Sequence, residues 1–266
     1  MQSHVKLGHG IPDVHRLGLA TRGNTRLRES DLDYALERGL NYWNWCGRDD
    51  AMSRAVAKLG ARRAGVAVAV QFDAGGDLDE MRRRLDTEYI DVATLYYVES
   101  EAEWGQIVRP GGGWDHLDQR RRARRLRAIG LTTHQRKLAA RWAESGKLDL
   151  LMVRYNAAHR GAERDVFPVA ASHGVPVVSF TALRWQALLA AAPGDPPGFA
   201  PPSAADCYRF CLSNPQVAVT LAAPNNRDGL DHALTLLDDW RASTPEELDA
   251  IRAHGDRVHK SAGTFW

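Results

Sequence analysis

Short apolar runs recur along the chain, and most are followed by stretches whose apolar residues return at helical spacing. Val14 to Ala20, Leu40 to Cys46, Val66 to Phe72 and Tyr89 to Val98 have the composition and length of buried strands. Arg127 to Thr133, Leu148 to Tyr155, Val175 to Thr181 and Val217 to Ala222 repeat the pattern. Helical periodicity falls between them, at Leu32 to Leu36, Ala51 to Leu59, Asp77 to Leu85, Lys137 to Glu144, Glu163 to His173, Ala204 to Ser213 and Arg227 to Leu237. Ser30 with Asp33 marks one helix start, and Thr244, Pro245 and Glu247 mark another. Eight strands alternating with helices predict an α/β chain folded as a (β/α)8 TIM-type barrel, one domain over residues 1–266. A doubly wound open sheet is the structural runner-up, but no G-x-G-x-x-G follows an early strand.

In a parallel barrel the active-site face lies at the C-terminal strand ends. Arg38 to Asp50 (RGLNYWNWCGRDD) stands out there, because an aromatic strand emerges into the polar tip Asn44, Gly47, Arg48, Asp49 and Asp50. Projecting the other strand ends onto that face adds Arg22, Trp45, Gln71, Tyr96, Glu99, Thr132, His134, Arg154, Asn156 and His159. Strand neighbours alternate in direction, so only some of these share a pocket: Tyr96 is expected inward and Tyr97 outward. Arg154 reads as a hook for a carboxylate or phosphate, or as half of a structural ion pair. Asp49 and Glu99 are acid or base candidates, with a solvated loop tip as the plainer reading of Asp49 and Asp50. His134 either transfers protons or caps a helix.

A hydrophobic fraction of 44% suits a large core, and a formal charge of +2 points to no nucleic-acid partner. The run Arg120 to Arg127 reads as an amphipathic helix with a solvated basic face, and Ala191 to Ser203 as a Pro/Gly-rich loop. Three cysteines make no disulfide framework, and Cys207 and Cys211, four apart on a helix, suit core packing better than a metal site. No apolar leader or spanning run is seen, so a cytoplasmic protein without a membrane partner is expected, acting on a small molecule.

G-L-N-Y-W-N-W-C-G-R-D-D resembles the aldo-keto reductase signature, roughly G-[IL]-N-[FY]-[FW]-D-T-A-x-x-Y-G. Tyr89 to Val98 is similar to that family's D-Y-I-D-L-Y-L-L-H-W, Ala128 to Thr133 to its A-I-G-V-S-N, and Tyr155-Asn156 to its Y-N. The resemblance places Asn44 at the family's catalytic Asp, Asp49 at its Tyr, Gln71 (or Val70, one residue away) at its Lys, and Tyr96 at its His. It implies NADPH as cofactor, with Thr132 and Thr133 at the Ser-Asn pair, Met152 at the Gln and Phe180 at the ring-stacking Tyr. Asn225, Asn226 and Arg227 are left as phosphate contacts. Neither Gln nor Val can tune a Tyr by opposing charge as a Lys does. The first expectation is therefore a non-redox acid–base enzyme on a small polar metabolite, with Asn44 and Tyr96 positioning it. A divergent NAD(P)H-dependent carbonyl reductase using Tyr96 or Asp49 as proton donor is the alternative, and a non-catalytic ligand-binding barrel the third reading.

Overall fold

The structure is a computed structural model and describes residues 1–261. Eight parallel strands close the expected barrel: β3 (Leu17–Ala20), β4 (Tyr42–Trp45), β5 (Ala67–Phe72), β6 (Ile90–Leu95), β7 (Leu126–Thr133), β8 (Leu150–Arg154), β9 (Val177–Phe180) and β10 (Val217–Ala222), with β10 returning to β3. The first expected strand is in fact two. Val14–His15 (β2) pairs antiparallel with His4–Val5 (β1), and only Leu17–Ala20 joins the barrel. Arg16 divides them, its guanidinium bonding the carbonyls of Val217 at 2.6 Å and Leu212 at 3.0 Å. Leu7, Ile11 and Val14 of the hairpin share a core cluster with Tyr42, Ala67, Ala69, Val92, Ala128 and Leu150, so the hairpin plugs the barrel at the N-terminal strand ends.

His15 in this plug is 5% exposed and accepts from the Leu17 amide at 3.0 Å. Burial, with His4 and Arg16 adding like charge, holds its imidazole down from 6.5 to about 4. The unfolded chain therefore binds this proton more readily than the folded one. The contribution of neutral His15 is intact above 6.5 and is lost as the pH falls toward 4. The unfolding free energy read from urea titrations is expected to drop across that window by roughly 1.4 kcal/mol per pH unit for this group. His15→Asn, which keeps an acceptor for the Leu17 amide, flattens the dependence; an unchanged slope would remove His15 from the account.

The strands sort their side chains by a period of two. Along β5, Ala67 and Ala69 belong to the inner cluster, whereas Val68, Val70 and Phe72 pack in the larger layer between strands and helices. The basic run does not form a helix throughout. The helix Gly113–Arg122 ends at Ala123, Arg124 turns with φ of 59°, and Arg127 enters β7. A further helix, Glu101–Val108, for which no helical run was expected, starts at a capping box of Ser100 and Glu103. Trp104 of that helix stacks on Trp142 at 5.2 Å. Residues 191–203 form a loop, tied to the C-terminal helix by Asp195 facing His254 at 3.1 Å.

On the outer side of β6, Asp91 is fully buried and accepts from Arg63 at 2.8 Å, Arg127 at 2.7 Å and the Val68 amide at 2.9 Å. The Tyr89 ring lies 4.2 Å from each of the two guanidiniums. This ion cluster stitches β5, β6 and β7 together near their N-terminal ends.

Candidate active site

Extending the inner row to the C-terminal strand ends brings six expected residues to one mouth. Tyr42 leads to Asn44, Ala69 to Gln71, Val92 and Thr94 to Tyr96, Ala128 to Thr132, Met152 to Arg154, and Val178 to Phe180. Gln71 rather than Val70 is thereby the residue on the inner face. Trp45 falls on the other face. It is wholly buried, donates to the Arg48 carbonyl at 2.7 Å and lies under Arg84, so it does not line the mouth. Thr133 shares that outward parity, and its hydroxyl accepts from the Gln135 amide at 3.0 Å.

Asn44 is 1% exposed, and neither its Oδ1 nor its Nδ2 has a partner among the described residues. A buried amide left unpaired is costly, and a ligand group that both donates and accepts would satisfy it. Burial, followed by the hydrogen bond to Tyr97 and the nearby Asp73 and Cys46, drives the Tyr96 phenol well above its ordinary range. Tyr96 therefore stays protonated and serves as a hydrogen-bond donor.

Tyr97 does not pack outward as expected. Its backbone is left-handed, with φ of 49°, and its exposed ring sits 4.0 Å from Tyr96 and 4.5 Å from His134. His134 is held on its other side by Glu99, whose Oε1 accepts from the His134 amide at 2.9 Å and faces Nδ1 at 3.1 Å. The imidazole caps no helix, since Gln135 holds that place before Arg136–Ala143. Its Nε2 bonds nothing among the described residues, and the ring stands edge-on to Phe180 at 6.1 Å. A carboxylate that fixes one ring nitrogen and leaves the other toward a mouth is a proton-transfer arrangement.

Other expected residues are engaged elsewhere. The Asp49 side chain is 81% exposed and pairs with Arg54, while Asp50 is no solvated tip but the N-cap of the helix Ala51–Ala57. Asn156 is fully buried and acts as a clasp, donating to the Thr181 carbonyl and accepting from the Ala158 amide. Arg22 reaches Asn225 Oδ1 at 2.7 Å.

Most side chains at the positions expected for NADPH have partners within the protein. Arg227 binds Asp231 and Asp31 and covers the Tyr34 ring at 3.8 Å. Asn226 caps the Gly229 amide, Asn225 holds Arg22, and Thr132 donates to the Met152 carbonyl. Phe180 packs against the inner core cluster and stands edge-on to His134. No group of three or more His, Cys, Asp or Glu residues is arranged for a metal ion among the described residues. Arg136 and Arg184 lie near enough to Arg154 to act on its charge, and sequence reasoning passed over both. Arg184 lies in a loop where Thr181, Arg184, Trp185 and Gln186 all have positive φ without a glycine to signal it.

Residues 74–206 match the family model described as "Aldo/keto reductase family". Among solved structures, the holo and apo forms of aldo-keto reductase AKR11C1 from Bacillus halodurans are similar to this chain, each with a TM-score of 0.75. Identity is 19% and 18%, over 95% of this chain and 96% of that one, a likeness of fold. No curated protein matches. No helix among the described residues is long and apolar enough to cross a membrane.

Proposed function

The chain belongs to the aldo/keto reductase family, whose model matches half of it, and from that premise we propose that it is an enzyme that has exchanged hydride transfer for acid–base chemistry. Its reaction is an elimination, isomerisation or cyclisation of a small polar metabolite at the C-terminal mouth of the barrel. The observation that carries this reading is the Glu99–His134 pair, bonded at 3.1 Å beside the inward residues of the barrel. His134 Nε2 takes a proton from the substrate, and Glu99 steadies the imidazolium that forms. Tyr96, held protonated, donates to the oxygen on which negative charge develops. The unpaired amide of Asn44 orients a polar group of the substrate.

The inherited reductase positions argue the same way. The residue at the family's catalytic Tyr is solvent-facing Asp49, and Gln71 supplies no charge where the family has Lys. The rival reading, a reductase with Tyr96 as proton donor, draws on family membership and on the Phe180 ring. Two experiments separate them. Purified protein in heavy water, offered a panel of small 2-oxo and 2-hydroxy acids, is expected to exchange a carbon-bound proton for deuterium. With NADPH deuterated at its transferable position and a panel of carbonyl compounds, no label is expected in product. Label delivered from the cofactor would establish the reductase and end the non-redox reading.

A further inference from the structure

The C-terminal helix, Pro245–Ser261, buries a histidine that the mouth does not use. His254 is wholly buried, and both of its ring nitrogens face oxygen: Nδ1 stands 3.1 Å from Asp195 Oδ1, and Nε2 stands 3.1 Å from the Leu188 carbonyl oxygen. Both oxygens belong to the segment that follows β9. Residues 190–203 of that segment form neither helix nor strand, and Asp195 is their only charged side chain. Among the described residues their backbone closes two turns, from the Asp195 amide to the Ala192 carbonyl and from the Phe199 amide to the Pro196 carbonyl. The Phe199 ring lies 5.0 Å from the imidazole. The segment is thus moored to the helix through His254 and its neighbour Arg257, which donates to the same Asp195 Oδ1.

The protonation of His254 follows from these partners. A carbonyl oxygen has no proton to give, so Nε2 carries one. Burial opposes it, yet the Ala192 amide, His254 and Arg257 hold the Asp195 carboxyl down to about 2. Asp195 Oδ1 therefore has no proton to give either, and Nδ1 carries the second. Only the imidazolium satisfies both contacts. One carboxylate then faces two cations, and since arginine does not give up its proton, the imidazole is the member of the trio that can. A neutral ring turns a lone pair toward either Asp195 or Leu188 in a place closed to solvent, which is costly. The other charges along this stretch of helix are engaged: Asp256 with Arg160 of the loop after β8 at 2.8 Å, and Asp249 with Arg252 at 3.9 Å. His259, further along, meets His159 edge-on at 5.2 Å. The helix also keeps its own hold on the barrel. A Cβ added to Gly255 would stand 2.3 Å from the Ala157 carbonyl oxygen, so the helix backbone rests directly on the loop after β8.

We infer that His254 is a proton-operated latch: its imidazolium fastens residues 187–203 to the C-terminal helix, and loss of one proton as the pH rises lets that segment detach while the helix stays in place. Docking of the segment takes up a proton. It is therefore favoured at low pH and weakens by up to about tenfold per pH unit once the undocked imidazole is neutral. The chain reaches this segment from Phe180 at the mouth, and the latch operates whatever reaction proceeds there.

Two measurements on the full-length protein test the latch. In nitrogen-15 NMR of histidine-labelled protein at pH 6, the His254 ring is expected to show a bonded proton on each nitrogen. Its signals are identified by their absence from His254→Gln or their shift in Asp195→Asn. In hydrogen exchange corrected for intrinsic rates, the amides of residues 190–203 are expected to lose protection by roughly tenfold or more between pH 6 and pH 9, while those of β6 keep theirs. His254→Gln has no ring proton to lose and is expected to give the segment the same protection at both pH values. Asp195→Asn leaves the helix untouched, is expected to flatten the dependence in the same way, and stands in should His254→Gln fail to fold by circular dichroism. A single ring proton at pH 6, protection that does not change with pH, or a change that persists in the folded variant overturns the latch.

Discussion

Replacing His134 by Gln is expected to lower the rate of proton exchange by about 10²- to 10⁴-fold, the usual worth of a positioned general base. Gln preserves the length and polarity of the side chain but offers no nitrogen that can take up a proton at neutral pH. The loss should fall on kcat and leave KM nearly unchanged, because Asn44 and Tyr96 are untouched. Glu99→Gln is expected to cost less. The amide can still accept from the His134 backbone N–H, which Glu99 now holds at 2.9 Å, but it no longer faces the imidazolium with a full charge. A merely structural role for His134 predicts something different, namely loss of the stack with Tyr97 and of the edge contact with Phe180, and a general loss of stability. His134→Gly with added imidazole distinguishes these: rescue of exchange by the free base assigns the chemistry to the ring nitrogen. Wild-type exchange in His134→Gln would move the proton transfer to Tyr96 or elsewhere.

The barrel was legible because its determinant is local. Each strand is a short apolar run with turn chemistry after it, and the order of runs is enough to set a parallel barrel. Parity within a strand was legible too, though incompletely used. Asn44 and Trp45 are adjacent, so one faces the barrel and the other the helices, and fixing Tyr42 as inward decides which. Pairings distant in sequence were not legible. Nothing near Arg16 foretells that it bonds the carbonyl of Val217, and nothing near Arg227 foretells that Asp31 engages it. The loops were hidden for a third reason. Left-handed backbone at Tyr97 and Arg184 carries no glycine to announce it, so both the stack on His134 and the turn at Arg184 went unseen.

Removal of the Asp91 carboxylate is the largest stability effect expected in this protein. Asp91 is fully buried and is shared by Arg63 and Arg127, whose side chains are 12% and 26% exposed, and by the Val68 amide. In Asp91→Ala two guanidiniums face each other across Tyr89 without a counter-charge, and a strand amide loses its acceptor. Breaking a buried ion cluster by deleting one member costs about 3–5 kcal/mol. That is a large part of the roughly 5–15 kcal/mol available to a typical fold. The thermal midpoint is expected to fall by about ten degrees, taking 2–4 °C per kcal/mol for a chain of this size. Asp91→Asn keeps an acceptor for Val68 and should lie between the two. The triple change Arg63→Met, Asp91→Leu, Arg127→Met removes every charge together and is expected to recover much of the loss, since the penalty lies in the unpaired ions rather than in the missing bonds. Asp91 faces the helix layer at the N-terminal end, far from the mouth, so per-molecule activity of the folded fraction should be unchanged. An Asp91→Ala protein with an unaltered midpoint would show that the cluster is solvated in practice, and one with an unaltered midpoint but altered activity would tie this end of the barrel to the site.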